Sequence, residues 1–254
     1  MELRENRISI VVPVYNSEQY IEETIQCVLK QTYADWEVIF VDDASKDKSV
    51  AVIEKYLKED KRMHLYQNSE NRGPAYARNR GIKKAQGRYL AYLDADDLWD
   101  ADKLEKQIRF MRQKGCAFSF TGYEFAGADG KRNGRIVCIP EKIDYKYALK
   151  HTTISTITVM FDRRQIPDSV LFMPLNARGE DSATWWKILR HGYTAYGINE
   201  PLSVYRRHGG SRSSNKLDAV WGTWRMYRRC ERLPVIRSGY YFCCYLFNAV
   251  RRRI

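Results

Sequence analysis

The chain has 254 residues, 44% of them apolar, with no run of 18 apolar residues and no leader-like charged-then-apolar start. This composition describes a chain that buries its own core, and it argues against a disordered chain, a disulfide-stapled mini-domain or a helical membrane span. The formal net charge is +12, but residues 1–203 hold 31 basic and 29 acidic side chains, whereas residues 204–254 hold 12 and 2. A basic terminal stretch points to an anionic partner: phosphate groups, nucleic acid or a lipid surface.

In chain order, ISIVVPV at residues 8–14 reads as a buried strand. Asn16-Ser17 offers an N-cap to a helix carrying Ile21, Ile25, Val28 and Leu29. WEVIFV at 36–41 is a second strand, ending in Asp42-Asp43, and Ser45 to Asp47 can cap a helix through Val50, Ile53 and Leu57. Residues 63–67 form a third strand, Gly73-Pro74 opens a helix over roughly 75–85 closed by Gly87, and YLAYL at 89–93 is a fourth strand. That strand runs into Asp94-Ala95-Asp96-Asp97, with Asp97 placed as the cap of the next helix. The alternation predicts a parallel sheet flanked by helices, with a ligand site at the strand ends.

Beyond about residue 115 the pattern changes. Strand-like runs fall at 116–125, 135–139 and 154–161, a helix with Trp185 and Trp186 follows Glu180-Asp181, and a strand pair is expected near 194–206. Six cysteines (Cys27, Cys116, Cys138, Cys230, Cys243 and Cys244) include no C-x-x-C pair, which predicts reduced thiols and a cytosolic chain.

Four constellations carry chemistry. Asp94-x-Asp96 can share a hard divalent cation, Mg²⁺ or Mn²⁺. Pro13, Tyr15, Asn16 and Asp42 stand where a nucleotide is expected, although G-x-G-x-x-G and the P-loop motif are both absent. Asp181, beside Glu180 at a helix start, has the fixed placement of a general base, or of an N-cap. Arg206-Arg207-His208-Gly209-Gly210-Ser211-Arg212-Ser213 can wrap a diphosphate, or be a solvated basic loop.

Together the stretches ISIVVPVYNSEQYIEETIQCVLKQTYADWEVIFVDDASKDKS, ENRGPAYARNRGIKKAQGRYLAYLDADDLW, GEDSATWW and YRRHGGSRS resemble family 2 glycosyltransferases of the bacterial cell-surface polysaccharide type. The resemblance covers residues 7–215 and implies the GT-A (Rossmann-like) α/β fold, a central mostly parallel sheet flanked by helices. It implies inverting transfer of a sugar from a nucleotide-diphosphate donor, expected to be a UDP-sugar, to an acceptor hydroxyl. Residues 1–98 would then form a nucleotide-binding half and 99–216 an acceptor-binding half. Position by position, Pro13, Tyr15, Asn16, Asp42, Arg78 and Asp94 would bind the nucleotide. Asp94 and Asp96 would hold the metal, and Asp181 would be the catalytic base. Glu180, Trp185, Arg206, His208, Ser211 and Ser213 would line the diphosphate and acceptor loop.

Residues 217–254 read as a helical, basic and aromatic tail divided by Pro234, with eight aromatics from Trp221 to Phe247. Such a stretch suits an anionic membrane surface, which fits a lipid-linked saccharide acceptor and an enzyme held peripherally on the inner face of the cytoplasmic membrane. Packing of the aromatics on the body or in a homodimer is the alternative. A nucleic-acid-binding protein and a nucleotidyltransferase on a related sheet are the competing functions. The nearly neutral body and the lack of a nucleic-acid motif weigh against the first.

Overall fold

The computed structural model describes residues 3–208 and 216–251. In its first half, strands β1 (Arg4–Val14), β2 (Trp36–Asp42), β3 (Met63–Gln67) and β4 (Gly87–Tyr92) alternate with helices α1 (Ile21–Leu29), α2 (Ser49–Leu57) and α3 (Pro74–Lys84). The second half contains β5 (Leu98–Trp99), α4 (Lys103–Lys114), β6 (Phe118–Ala126), β7 (Arg132–Val137), β8 (Lys142–Ile143) and α5 (Tyr145–Ala148). It continues through β9 (Met160–Asp162), α6 (Asp168–Leu171), α7 (Glu180–Arg190) and β10 (Ala195–Arg206) to α8 (Lys216–Arg225) and α9 (Val235–Arg251).

One sheet runs in the order β3-β2-β1-β4-β9-β6-β10-β5, with β7 beside β6 and β8 beside β10. The block β3-β2-β1-β4 is parallel throughout. β9 enters antiparallel between β4 and β6, and the long β6–β10 pair is parallel again. The β1 register, Ile8 opposite Trp36 and Val14 opposite Asp42, brings the C-terminal ends of the first two strands level. Strand side chains alternate between faces. Val11, Ile39, Leu90 and Tyr92 therefore join one core with residues of α3 and α7, while Ile10, Val12, Phe40 and Ala91 join the other with α1 and α4. This is the expected central sheet between helices, with the C-terminal ends of the parallel strands β1, β2 and β4 on the same side.

Several local expectations change. The expected strand pair near 194–206 is one strand, Ala195–Arg206, and its register shifts between Ile198 and Ser203 let it bend and keep pairing with β6. Asn16 and Ser17 do not cap α1 through their side chains. Tyr20 and Ile21 donate their N–H groups to the Ser17 carbonyl at 2.9 Å, and Asn16, at φ 48, points its amide oxygen at the Lys46 N–H 2.8 Å away. Asp97 is not a helix cap either: its carboxylate accepts the Arg206 N–H at 2.7 Å, and α4 starts after Asp102. Gly87 opens β4 instead of closing α3, and a Cβ there would sit 2.5 Å from the Arg7 carbonyl oxygen.

The last segment is built into the body. α8 runs into a π-helical turn, Met226–Cys230, where Met226 and Tyr227 are buried. The Tyr227 ring stacks on Trp186 of α7, with centroids 5.0 Å apart and planes at 10°, and its hydroxyl donates to the Leu149 carbonyl. Tyr241 and Phe242 of α9 pack on the same core.

Candidate active site

The nucleotide end is shaped by the exits of β1 and β2. Tyr15 is exposed there, Pro13 is half-buried, and Asn16 is tied to the 45–46 loop, its own N–H donating to Ser45 Oγ at 3.0 Å. Asp42 is buried, and its carboxylate oxygens lie 3.3 and 3.4 Å from the Ser45 N–H. Asp43 does more than begin a turn. Its carboxylate accepts from Asn68 Nδ2 at 2.7 Å, the Arg72 N–H at 3.0 Å and the Gly73 N–H at 2.6 Å. It therefore stitches the end of β2 to the exit of β3 and the start of α3. The pairing of an acidic strand end with a Gly-Pro helix start is the signal that could have exposed this role. Gly73, at φ 85, takes a conformation that side-chain-bearing residues rarely adopt.

α3 then places Arg78 under the acidic end of β4. Its Nη2 donates to Asp94 Oδ1 at 2.5 Å, and its Nη1 lies 3.5 Å from Glu180 Oε1. The guanidinium is buried, and the two carboxylates hold it firmly protonated against the cost of that burial. Its Nε is buried without a hydrogen-bond partner among the described residues. The Arg78–Glu180 contact was not legible locally, since 102 positions separate the two residues.

Asp96 accepts a contact from His208 Nε2 at 2.8 Å, and the imidazole lies 4.8 Å from the Tyr20 ring. Burial, then the charge of Asp94, pushes the Asp96 carboxyl above the ordinary range, with His208 acting against them. Asp97 is raised further, by burial and by both neighbours. Asp94, Asp96 and Asp97 thus act on one another's charge, although Arg78, His208 and Arg206 each offset one of them. Among the described residues no group of three or more His, Cys, Asp or Glu side chains forms a metal cage. Two hard oxygen donors fit Mg²⁺ or Mn²⁺ that takes its other ligands from phosphate and water.

Asp181 lies on the first turn of α7. Its Oδ2 accepts from Thr156 Oγ1 at 2.9 Å and its Oδ1 from the Ser182 N–H at 2.6 Å. Burial, and next the adjacent Glu180, raise its pKa, while those hydrogen bonds and Arg78 oppose the rise. Such a carboxyl is an oriented, partly desolvated proton acceptor.

Two residues expected on the diphosphate and acceptor loop lie elsewhere. Trp185 is buried in the core, its ring 5.3 Å from Phe161, 5.9 Å from Phe118 and 6.2 Å from Tyr92. It belongs to the buried face of α7, with Trp186, Ile188 and Leu189, which packs on the sheet. Arg206 is the last residue of β10 and is almost wholly buried. It donates to Glu23 Oε2 at 2.7 Å and lies over the Tyr20 ring at 4.8 Å, so it ties β10 to α1. His208 does reach the acidic strand end, and Ser211 and Ser213 lie outside the described residues.

A four-strand parallel block, an antiparallel insertion and an acidic end on β4 define a GT-A glycosyltransferase. The family described as Glycosyl transferase family 2 matches residues 9–167, and the chain belongs to it. It is 44% identical to the Bacillus subtilis (strain 168) glycosyltransferase TuaG, named for teichuronic acid biosynthesis, over 97% of both chains. It is 35% identical to Escherichia coli WfgD, named UDP-Glc:alpha-D-GlcNAc-diphosphoundecaprenol beta-1,3-glucosyltransferase, over 96% of this chain and 94% of that one. Among solved structures it is similar to the mannosyltransferase PcManGT of Pyrobaculum calidifontis, determined with GDP-Man and Mn²⁺. That match has a TM-score of 0.71 at 19% identity, covering 96% of this chain and 73% of the other. Family membership makes the chain a glycosyltransferase and leaves the nucleotidyltransferase and nucleic-acid-binding readings without support.

Proposed function

We propose that the protein transfers a hexosyl group from a UDP-sugar to a hydroxyl of a lipid-linked saccharide, with inversion, in cell-surface polysaccharide synthesis. The observation that carries this reading is the Asp94–Arg78–Glu180 link, which fixes the start of α7, and hence Asp181, relative to the acidic end of β4. The name of WfgD supports a UDP-linked donor and a diphosphoundecaprenol-linked acceptor. Residues 1–98 serve the nucleotide and residues 99–216 the acceptor, while of the last segment the outward face of α9 meets an anionic membrane.

In this reading Pro13, Tyr15, Asn16 and Asp42 contact the nucleoside, and Arg78 keeps Asp94 oriented toward the diphosphate. Asp94 and Asp96 hold Mg²⁺ or Mn²⁺, which when bound neutralises charge on the departing nucleoside diphosphate. The Mn²⁺ in the PcManGT structure supports that choice of metal. His208 adds a polarisable contact on Asp96. The acceptor oxygen attacks the anomeric carbon as the bond to the diphosphate oxygen breaks. The departing oxygen carries away the bonding pair, and Asp181 takes the acceptor proton. One displacement inverts the anomeric centre.

The test is turnover of UDP-sugars with a lipid-linked disaccharide or monosaccharide acceptor, following UDP release and the anomeric configuration by NMR. Release of pyrophosphate, or retention of configuration, would overturn the proposal.

A further inference from the structure

Residues 217–254 contain eight aromatics, and the structure divides them. Tyr227 stacks on Trp186, Trp224 meets Phe242 edge to face at 5.4 Å, and Tyr241 and Phe242 pack on the core. These rings are spent on cohesion and are unavailable to a partner. What stays outside is Trp221 on α8, at 61% exposure, Val235 at the start of α9, at 61%, and a stripe along α9: Ile236 at 88%, Tyr240 at 56%, the exposed Cys243, and Phe247 at 64%. The spacing is 4, 3 and 4 residues, which puts the four side chains on one helical face. Ser238 of the same helix is fully buried, so α9 shows opposite faces to the protein and to the outside.

The charge on this face decides its partner. α9 holds no Asp or Glu, and Arg237, next to Ile236, is exposed, so the described charge beside the stripe is positive. A two-fold dimer through the stripe would bring the same positive surface against itself. An anionic lipid surface offers the opposite charge together with an apolar layer at headgroup depth. Among the described residues no helix is long and apolar enough to cross a membrane, so α9 can lie along the surface but does not span it. α9 also leans on the segment that precedes the candidate base's partner. Asn248 Nδ2 donates to the Lys150 carbonyl at 3.3 Å, and Lys150 Nζ lies 5.4 Å from the Tyr240 ring. Thr156, six residues beyond Lys150, holds Asp181.

We infer that α9 is an in-plane interfacial helix whose Ile236–Tyr240–Cys243–Phe247 stripe enters the headgroup layer of an anionic bilayer on the acceptor side of the enzyme. This rests on the lipid-linked acceptor reading and deepens it, naming the surface that brings the cleft to its substrate. Because the inner face of the segment is core, the stripe must be tested by surface substitution in the full chain and not by truncation.

The experiment is flotation of the full-length protein with phosphatidylglycerol/phosphatidylcholine vesicles and with phosphatidylcholine vesicles, beside the double variant Ile236→Ser/Phe247→Ser. The wild type is expected on anionic vesicles only, with binding weakened by salt. The variant, with an unchanged melting temperature, is expected to lose about tenfold or more in partitioning. Transfer to a water-soluble glycoside acceptor should stay at the wild-type level in the variant, while transfer to vesicle-borne acceptor falls. Equal partitioning of wild type and variant, or a wild-type dimer in light scattering that the variant dissociates, would overturn the inference. Absence of transfer to every acceptor, with vesicle binding intact, would overturn the functional reading and leave the interfacial helix standing.

Discussion

Arg78 and Asp94 are joined by a 2.5 Å contact between Nη2 and Oδ1, and the same guanidinium faces Glu180 at the start of α7. One buried cation therefore sets the distance between the two acidic elements of the site. Replacing it by alanine leaves buried carboxylates uncompensated, at a cost of about 3 kcal/mol or more. Arg78→Ala is expected to melt well below wild type and to lose transfer. Arg78→Lys keeps the charge without the fork and should recover stability more than activity. Thermal melts alongside turnover measure both, and an active, stable Arg78→Ala would remove the residue from the site.

For Asp181, the expected signature lies in the pH–rate profile. Its carboxyl is raised by burial and by Glu180, and a base works only when ionised. Activity should therefore fall as pH drops through a limb above the usual aspartate range. The Thr156 hydroxyl stabilises the ionised form. Thr156→Val should move that limb to higher pH, and Asp181→Asn should abolish transfer while UDP-sugar binding survives. A limb unmoved in Thr156→Val would count against Asp181 as the titrating group.

Metal removal gives a separate check on Asp94 and Asp96. EDTA is expected to stop turnover, and Mn²⁺ or Mg²⁺ to restore it. Asp96→Ala should weaken metal binding in calorimetry with donor present. Full activity in chelator would sink the metal assignment.

These sites differ in how far the sequence alone reveals them. The parallel strands, the acidic end of β4 and the helix carrying Asp181 follow from apolar runs and from residues adjacent in the chain. Strand periodicity and Gly-Pro punctuation are local signals, so β1 to β4 and α1 to α3 are readable. Arg206 is different: 183 positions separate it from Glu23, the partner that draws it inward. An arginine beside Arg207 and His208 looks like part of a basic loop until β10 is placed against α1. Trp185 and Asp97 were obscured in the same way, because the sheet face and the β10 backbone that claim them come from distant sequence. Asp43 carried a readable clue in Gly73-Pro74, but its three donors required the fold.

A buried lysine should mark the pH dependence of stability. Lys103 is fully buried, donates to Gln107 Oε1 at 2.7 Å and lies 4.0 Å over Trp99. Burial lowers its pKa to about 7 from 10.5. Between those values the unfolded chain binds more protons at this site, so its contribution makes stability rise as pH climbs from about 7 toward 10.5. Lys103→Met is expected to flatten that rise in urea titrations at pH 7 and 9. An unchanged slope would show that Lys103 titrates as an ordinary lysine.

Removing the Tyr227 ring tests how firmly the last segment belongs to the core. The side chain is fully buried against Trp186. Tyr227→Ala should cost about 3–5 kcal/mol, by analogy with other large-to-small aromatic substitutions. Denaturant midpoints measure it, and a loss below about 1 kcal/mol would mean that the segment is a detachable appendage.

The stacking of Tyr227 on Trp186 also orders the assembly of the molecule in time. During synthesis the β3-β2-β1-β4 block can close early, since its strands lie within residues 4–92. The core beneath α7 stays open until residue 227 has emerged, and the α9 stripe follows it. A nascent chain thus completes its catalytic frame before it presents its membrane-seeking face, and a ribosome stalled near residue 220 would hold a chain with a bare Trp186 surface.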